Sequence, residues 1–263
     1  MYKFKSANDR DVEALLNNQL WISTLEKMND PMDLGFYINS SKHSDNDIRK
    51  FQDALNKSFV IISLASKVQN RRLWNYYTDG MKGFALDYRV EDLAKALKAM
   101  GAKTTISKKV TYGDEKLELS DMLDDYMTSG KVPTLRKADL LFKKDISWSS
   151  EDEHRIVTEA DFLKLFSGAE EEGGLLLENV MPSQINVGYK MDSKKLSLLE
   201  SYAQRNNIEV RQFIPNFRSR DSGKFKSTVI VGKNAGEEQE ENIVDQVEPR
   251  QFFEVYDGEY EIS

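Results

Sequence analysis

The chain of 263 residues contains no cysteine, which removes disulfides, thiolate nucleophiles and cysteine zinc sites together. Only two histidines are present, His43 and His154, so a histidine-rich metal centre or a Ser-His-Asp triad finds little material. No apolar run reaches the roughly 18 residues needed to cross a bilayer. The opening Met-Tyr-Lys-Phe-Lys-Ser lacks the apolar segment of a signal peptide. A cytoplasmic protein without a membrane partner is the expectation. There is no phosphate-binding loop and no Gly-x-Gly-x-x-Gly following a strand. A net charge of −7 gives no global attraction to nucleic acid or anionic lipid, and basic clusters such as Arg71-Arg72 and Lys108-Lys109 are short.

What is present is enough for a core: 40% of the residues are hydrophobic. The pattern reads as mixed α+β. A short strand is expected at Lys3–Ser6, followed by a helix capped by Asn8 that runs to about Gln19, with Val12, Leu15 and Leu16 on one face. Trp21-Ile-Ser opens another extended piece, which ends at the turn signal Asn29-Asp30-Pro31. Ser44 and Asp47 form a capping-box pattern ahead of the apolar stripe Ile48, Phe51 and Leu55. Phe59 to Leu64 reads as a buried strand, Asn70 to Tyr77 as a short helix and Gly83 to Asp87 as a strand. A helix over Val90 to Met100 stops at Gly101. Helical segments at about 114–129 and 134–143 look like an insertion. Later come a strand at Ile185–Gly188, a helix at 193–206 and a strand from Ile208 to Phe213. The tail from 215 is polar, with one strand at Ser227–Val231 and the acidic run Glu237-Glu-Gln-Glu-Glu241, and is expected to be a solvated arm.

The most informative stretch is Trp148-Ser-Ser-Glu-Asp-Glu-His-Arg-Ile-Val157. It reads as a turn entering a strand whose start carries Glu151, Glu153 and Arg155 on one face, with Val157 following on the same face. Two carboxylates and a guanidinium side by side need water, partners or a ligand. An exposed edge strand with mixed charges is the simpler alternative. His154 should point away from Glu153.

Several motifs occur in order: Tyr2-Lys-Phe-Lys-Ser6, Leu20-Trp-Ile-Ser23, Asn29-Asp-Pro-Met-Asp33, Ile62-Ser-Leu64, Trp74 and Tyr77-Thr-Asp-Gly-Met-Lys-Gly-Phe84. Leu141-Phe-Lys-Lys-Asp145, Trp148 to Arg155 and Ile185-Asn-Val-Gly188 follow. Together, over roughly residues 1–212, they resemble a bacterial family described only as a domain of unknown function, with members in phage-defence and abortive-infection contexts. That family in turn resembles a distant branch of the ADP-ribosyltransferase fold, whose members split NAD at its glycosidic bond.

The resemblance implies a site. Glu153 would stabilise the oxocarbenium character that develops on the ribose, and Glu151 would orient or deprotonate the acceptor. Lys3 would contact a phosphate or ribose, and Ser63 would supply the middle-strand hydroxyl. Trp74 or Tyr77 would stack on nicotinamide, with Asn29 and Arg155 as further NAD contacts. NAD is then a substrate and no metal is expected. Met81 and Ala65 depart from the family pattern, which commonly has histidine and serine there, and this puts activity or its target in question.

These readings give an α+β core over residues 1–214 with a split, partly open mixed sheet and a helical insertion at about 114–143, followed by a polar arm over 215–263. The expected function is that of an NAD-using ADP-ribosyltransferase-like toxin or defence effector. It implies a macromolecular target, protein or nucleic acid, and a neutralising or regulatory partner. Two other classes remain open. One is a non-catalytic nucleotide-sensing module with the same cleft. The other is a nuclease holding Mg²⁺ on Asp30, Asp33, Glu151 and Glu153.

Overall fold

The computed structural model describes residues 1–28, 36–39, 42–132, 134, 139–216, 225–233, 235–236, 238–240 and 254–255. Asn29, Asp30 and Asp33 lie outside the described residues. The chain begins with β1 (Tyr2–Lys5), followed by α1 (Asp9–Leu16), where the Asn8 side chain accepts from the Asp11 N–H. β2 (Leu20–Thr24) and the two-residue β3 (Phe36–Tyr37) precede α2 (Asp45–Ser58), which opens with the Ser44/Asp47 capping box. β4 (Phe59–Ala65) follows α2 directly. The helical period gives way there to a run of β-branched and aromatic residues that is buried on both faces.

The next unit is α3 (Arg71–Tyr76), β5 (Phe84–Asp87), α4 (Val90–Ala99) and β6 (Thr105–Lys109). The region of the expected insertion holds β7 (Thr111–Tyr112), β8 (Leu117–Glu118), α5 (Ser120–Ser129), a 3₁₀ turn at Asp139–Phe142 and β9 (Lys143–Lys144). Of the expected insertion, α5 falls within the first helical segment, and residues 135–138 of the second lie outside the described residues. A 3₁₀ turn at Ile146–Glu151 leads into β10 (Glu153–Glu159). After α6 (Ala169–Glu172) come β11 (Gly174–Leu177), β12 (Gln184–Gly188), α7 (Ser193–Asn206), β13 (Glu209–Pro215), β14 (Phe225–Val231), β15 (Glu238–Glu240) and β16 (Glu254–Val255).

Among the described residues, twelve strands form one mixed sheet in the order β15-β14-β13-β12-β5-β1-β4-β10-β6-β16, with β2 and β11 branching from β4. β12 and β13 are parallel, as a crossover through α7 requires, and the other pairings in this sheet are antiparallel. The described strands beyond 215 therefore belong to the sheet. β14 extends the sheet beside β13 and buries Phe225, Ser227, Val229 and Val231 on alternate positions. No helix among the described residues is long and apolar enough to cross a membrane.

The site is created by a fork. β4 pairs with β10 along its whole length, but its other edge is shared. β1 meets it at Tyr2↔Ala65 alone, and β2 meets it at Ser23↔Ile61 and Thr24↔Val60. Between these contacts the edge of β4 around Ser63 is left open. The two faces of β4 then explain what lies there. Val60, Ile62 and Leu64 join a large core with α1, α4 and α7, whereas Phe59 and Ile61 join a second cluster with α2 and α5. Ala65 belongs to a third cluster, built around Trp74. Ser63, with Glu153 and Arg155 beside it on β10, falls in the polar gap between the second and third clusters.

The Tyr77–Phe84 and Ile185–Gly188 motifs serve this architecture. A Cβ on Gly83 would lie 2.0 Å from the Lys5 carbonyl oxygen, and one on Gly188 would lie 2.1 Å from that of Met81. Both glycines permit backbone to pack on backbone, holding the Asp79–Gly83 turn between β1 and β12. Gly83→Ala is expected to cost about 1–3 kcal/mol, the usual range for overpacking, and to lower the melting temperature. An unchanged melting temperature would contradict the close packing.

Candidate active site

The fork opens into a cleft of about 440 Å³ lined by β1, the start of α1, β2, β4, the end of α3 and the Lys144–Glu153 segment. The register confirms the strand phase read from sequence: Glu153, Arg155 and Val157 face the same way as Ala65, Ser63 and Ile61. Glu151 departs from that reading. It ends the 3₁₀ turn, and Asp152 at φ +47° redirects the chain into β10, so Glu151 reaches the site from a turn instead of along the strand. Ser66 fixes this corner, its N–H and hydroxyl both donating to the Asp152 carbonyl at 3.0 and 2.9 Å.

Glu153 is buried and accepts from Arg155 Nε at 2.8 Å on Oε1, and from Arg155 Nη2 and Lys144 Nζ on Oε2, both at 3.2 Å. Its backbone N–H donates to the Tyr112 hydroxyl at 2.8 Å. Burial alone would raise its pKa. The Arg155 guanidinium with its hydrogen bonds, and the Lys144 ammonium, outweigh that and hold the carboxyl at about 2. Glu153 is thus an anion at any physiological pH, suited to stabilising positive charge and unsuited to donating a proton. Glu151 accepts from Lys144 Nζ at 2.9 Å and from the Tyr77 hydroxyl at 2.9 Å. Burial and the neighbouring Glu151 push the Tyr77 phenol up, and burial pushes Tyr112 up to about 12, so both stay protonated.

Lys3 and Lys5 leave β1 on the α1 side, since they pair with Leu86 and Phe84. Lys5 Nζ binds Asp11 at 3.1 Å, whereas Lys3 turns into the fork and donates to the Ser63 carbonyl at 2.9 Å. Part of the Lys3 side chain is open to the cleft. Its ammonium is nevertheless desolvated, and this burial together with Lys5 lowers its pKa to about 8 against the pull of Glu153, Asp11 and Glu151. Ser63 Oγ is enclosed without a hydrogen bond of good geometry, although it lies near enough to Glu153 to favour the ionised carboxylate.

The fold therefore gathers Glu153, Glu151, Lys3, Ser63 and Tyr77 into one cleft. Two of the residues expected to contact NAD do not line it. Trp74 is fully buried, stacked on Phe213 at 5.6 Å, with Nε1 donating to the Val68 carbonyl at 2.8 Å. Its ring faces are filled by the core, so it is no platform for nicotinamide. Arg155, also fully buried, stands behind Glu153 and donates to the Leu141 carbonyl at 2.8 Å, so it supports the carboxylate instead of meeting a ligand. Met81 is buried in the Trp74 cluster. His154 turns to the opposite face, where it meets Ser107 at 2.7 Å.

Sequence reasoning assigned no site role to Lys144, Trp148, Lys5, Arg10 or Lys27. Lys144 lies in the Leu141–Asp145 motif, but neither strand nor helix periodicity links it to Glu153. The β7–β9 ladder, Thr111↔Lys143 and Tyr112↔Lys144, returns the insertion to the site. Lys144 Nζ also lies 4.9 Å from the Trp148 ring centroid, and Arg10 caps Trp21 at 5.5 Å. Among the described residues, five basic side chains line the cleft (Lys3, Lys5, Arg10, Lys27 and Lys144) against three carboxylates (Asp11, Glu151 and Glu153). In a chain of net charge −7 this is a local reversal of sign.

Among the described residues, no group of three or more histidine, aspartate or glutamate side chains is arranged to hold a metal ion. The position between Glu151 and Glu153 is taken by the Lys144 ammonium.

This is an α+β protein with a forked mixed sheet and a carboxylate pair in a basic cleft. Residues 73–156 match the family described as Protein of unknown function (DUF2971). The matched segment spans Tyr77, Lys144, Glu151, Glu153 and Arg155, and does not include Lys3 on β1 or Ser63 on β4. No curated protein and no solved structure matches the chain.

Proposed function

We propose that the cleft binds NAD as substrate and that the protein transfers ADP-ribose to a macromolecular target in the cytoplasm, as a toxin or phage-defence effector. The observation that carries this reading is the ionised Glu153 beside Glu151 at the fork, in a cleft whose other charges favour an anion. A volume of about 440 Å³ lies within the roughly 300–1,000 Å³ of small-molecule sites. The basic wall of Lys3, Lys5, Arg10 and Lys27 suits the diphosphate, and Trp21, Tyr77 and Trp148 offer aromatic surface for a ring.

The bond from ribose C1′ to the nicotinamide nitrogen breaks, its electron pair leaves on nicotinamide, and the new bond forms from C1′ to the acceptor. Glu153 stabilises the positive charge on the ribose, and Glu151 takes the acceptor proton. A neutralising or regulatory partner fits a toxin role. One observation favours a second reading, a nucleotide-sensing module: protein donors engage both carboxylates, Glu151 through Lys144 and Tyr77 and Glu153 through Arg155 and Lys144.

Lys3 supplies the test. With a pKa of about 8 it should acylate faster near pH 8 than an ordinary exposed lysine such as Lys164. Millimolar NAD is expected to protect Lys3 severalfold and to leave Lys164 unchanged, read by peptide mass spectrometry. Equal labelling with and without NAD would contradict the cleft assignment. Protection without NAD consumption would select the sensing module.

A further inference from the structure

Two carboxylates that share a buried site repel one another, and ordinarily one of them takes up a proton. Glu151 and Glu153 are both buried, and a single ammonium, Lys144 Nζ, stands 2.9 Å from Glu151 Oε2 and 3.2 Å from Glu153 Oε2. Lys144 is itself only 6% exposed, so its charge acts at low dielectric. Its backbone is fixed independently of the carboxylates. Tyr112 pairs with it across the β7–β9 ladder, and Gly113 N–H donates to its carbonyl at 3.1 Å. The groups facing Glu151 are Lys144 from β9, Tyr77 just past α3, Glu153 from β10 and, further off, Tyr112 from β7 and Lys3 from β1. Arg155 serves Glu153. Lys144 is thus the cation hydrogen-bonded to both carboxylates, and it is contributed by the insertion, not by the sheet.

We infer that Lys144 is a positioning residue, an internal counter-cation that lets Glu151 and Glu153 lie side by side as anions. Its consequence for catalysis rests on the reading of the cleft as an NAD site. Its consequence for the folded protein does not, and the two are separable by experiment. In Lys144→Met, Glu153 keeps Arg155 while Glu151 is left beside a like charge without its counter-cation, a repulsion that exists only while both carboxyls are ionised. The deficit of the variant is therefore largest where both are anions and smaller in acid, where the folded chain binds a proton.

Lys144→Met should therefore lower the melting temperature by about 10 °C at pH 8, with the deficit shrinking towards pH 5. Adding Glu151→Gln should raise the melting temperature of Lys144→Met at pH 8, although Glu151→Gln alone lowers that of the wild type. If Lys144→Met does not fold, recovery of folded protein in the double variant reports the same coupling. A deficit that is constant from pH 5 to pH 8, or a double variant no more stable than Lys144→Met, would overturn the inference. Where the wild type consumes NAD, Lys144→Met should also move the acid limb of the pH–rate profile upward. An inactive wild type that still shows the stability inversion would leave Lys144 in place and remove the transferase reading.

Discussion

Glu153→Gln is expected to slow cleavage of the NAD glycosidic bond by about 10²–10³, equivalent to 2.7–4 kcal/mol, by analogy with removal of one oxyanion-stabilising donor. The substitution preserves shape and removes the charge that the proposed mechanism sets against the ribose cation. From sequence alone it would be expected to spare stability. The structure changes that expectation, because Glu153 is buried and bonded to both Arg155 and Lys144. A neutral amide still accepts from one of these cations but no longer balances them. A loss on the order of 2 kcal/mol should follow, less than the 3–5 kcal/mol of removing a buried partner outright. Rates are therefore to be compared well below the melting temperature of the variant. Wild-type turnover by the folded variant would remove Glu153 from the mechanism.

Arg155→Leu is expected to cause the larger loss of stability, about 3–5 kcal/mol or roughly 10 °C in melting temperature. Arg155 is fully buried, and its removal leaves Glu153 to share Lys144 with Glu151 and takes a donor from the Leu141 carbonyl. The pH dependence gives the sign. In the wild type the Glu153 carboxyl is depressed from 4.5 to about 2, so its contribution is present above pH 4.5 and fades as pH falls towards 2. At 1.36 kcal/mol per unit this is about 3 kcal/mol. Arg155→Leu removes most of that depression, so the gap between wild type and variant should narrow over the same window. Thermal unfolding from pH 7 down to the acid limit measures it. A gap that stays constant would mean that Arg155 stabilises through packing alone.

Much of the fold was legible because its periodicities are local. The Asn8 cap, the Ser44/Asp47 box and the Phe59–Leu64 run each act within a few residues, and each forms as read. Strand phase put Glu153 and Arg155 on one face. Three errors have physical reasons. Glu151 was given to the strand because alternation cannot register the left-handed Asp152 that breaks it. Trp74 was offered as a stacking platform because a tryptophan suits a cleft wall as well as a core. What buries it is Phe213, 139 positions away in sequence. The tail was expected as a solvated arm with one strand at Ser227–Val231; that strand forms within β14, but its alternate residues are buried beside β13, a non-local pairing that polar composition hides. Lys144 escaped notice although its partners are only 7 and 9 positions on, because strand and helix periodicities do not register the 3₁₀ turn that folds them back onto it.

The most direct test of the central claim uses NAD labelled separately in its nicotinamide and adenine halves, incubated with purified protein and whole lysate, with and without EDTA. Free labelled nicotinamide and adenine label on a macromolecule are predicted. Both should be indifferent to the chelator, because the glycosidic nitrogen already carries positive charge, and both should be lost in Glu153→Gln. Chelator-sensitive cleavage of added RNA or DNA, with NAD left unconsumed, would contradict the account and favour metal-dependent phosphodiester chemistry instead.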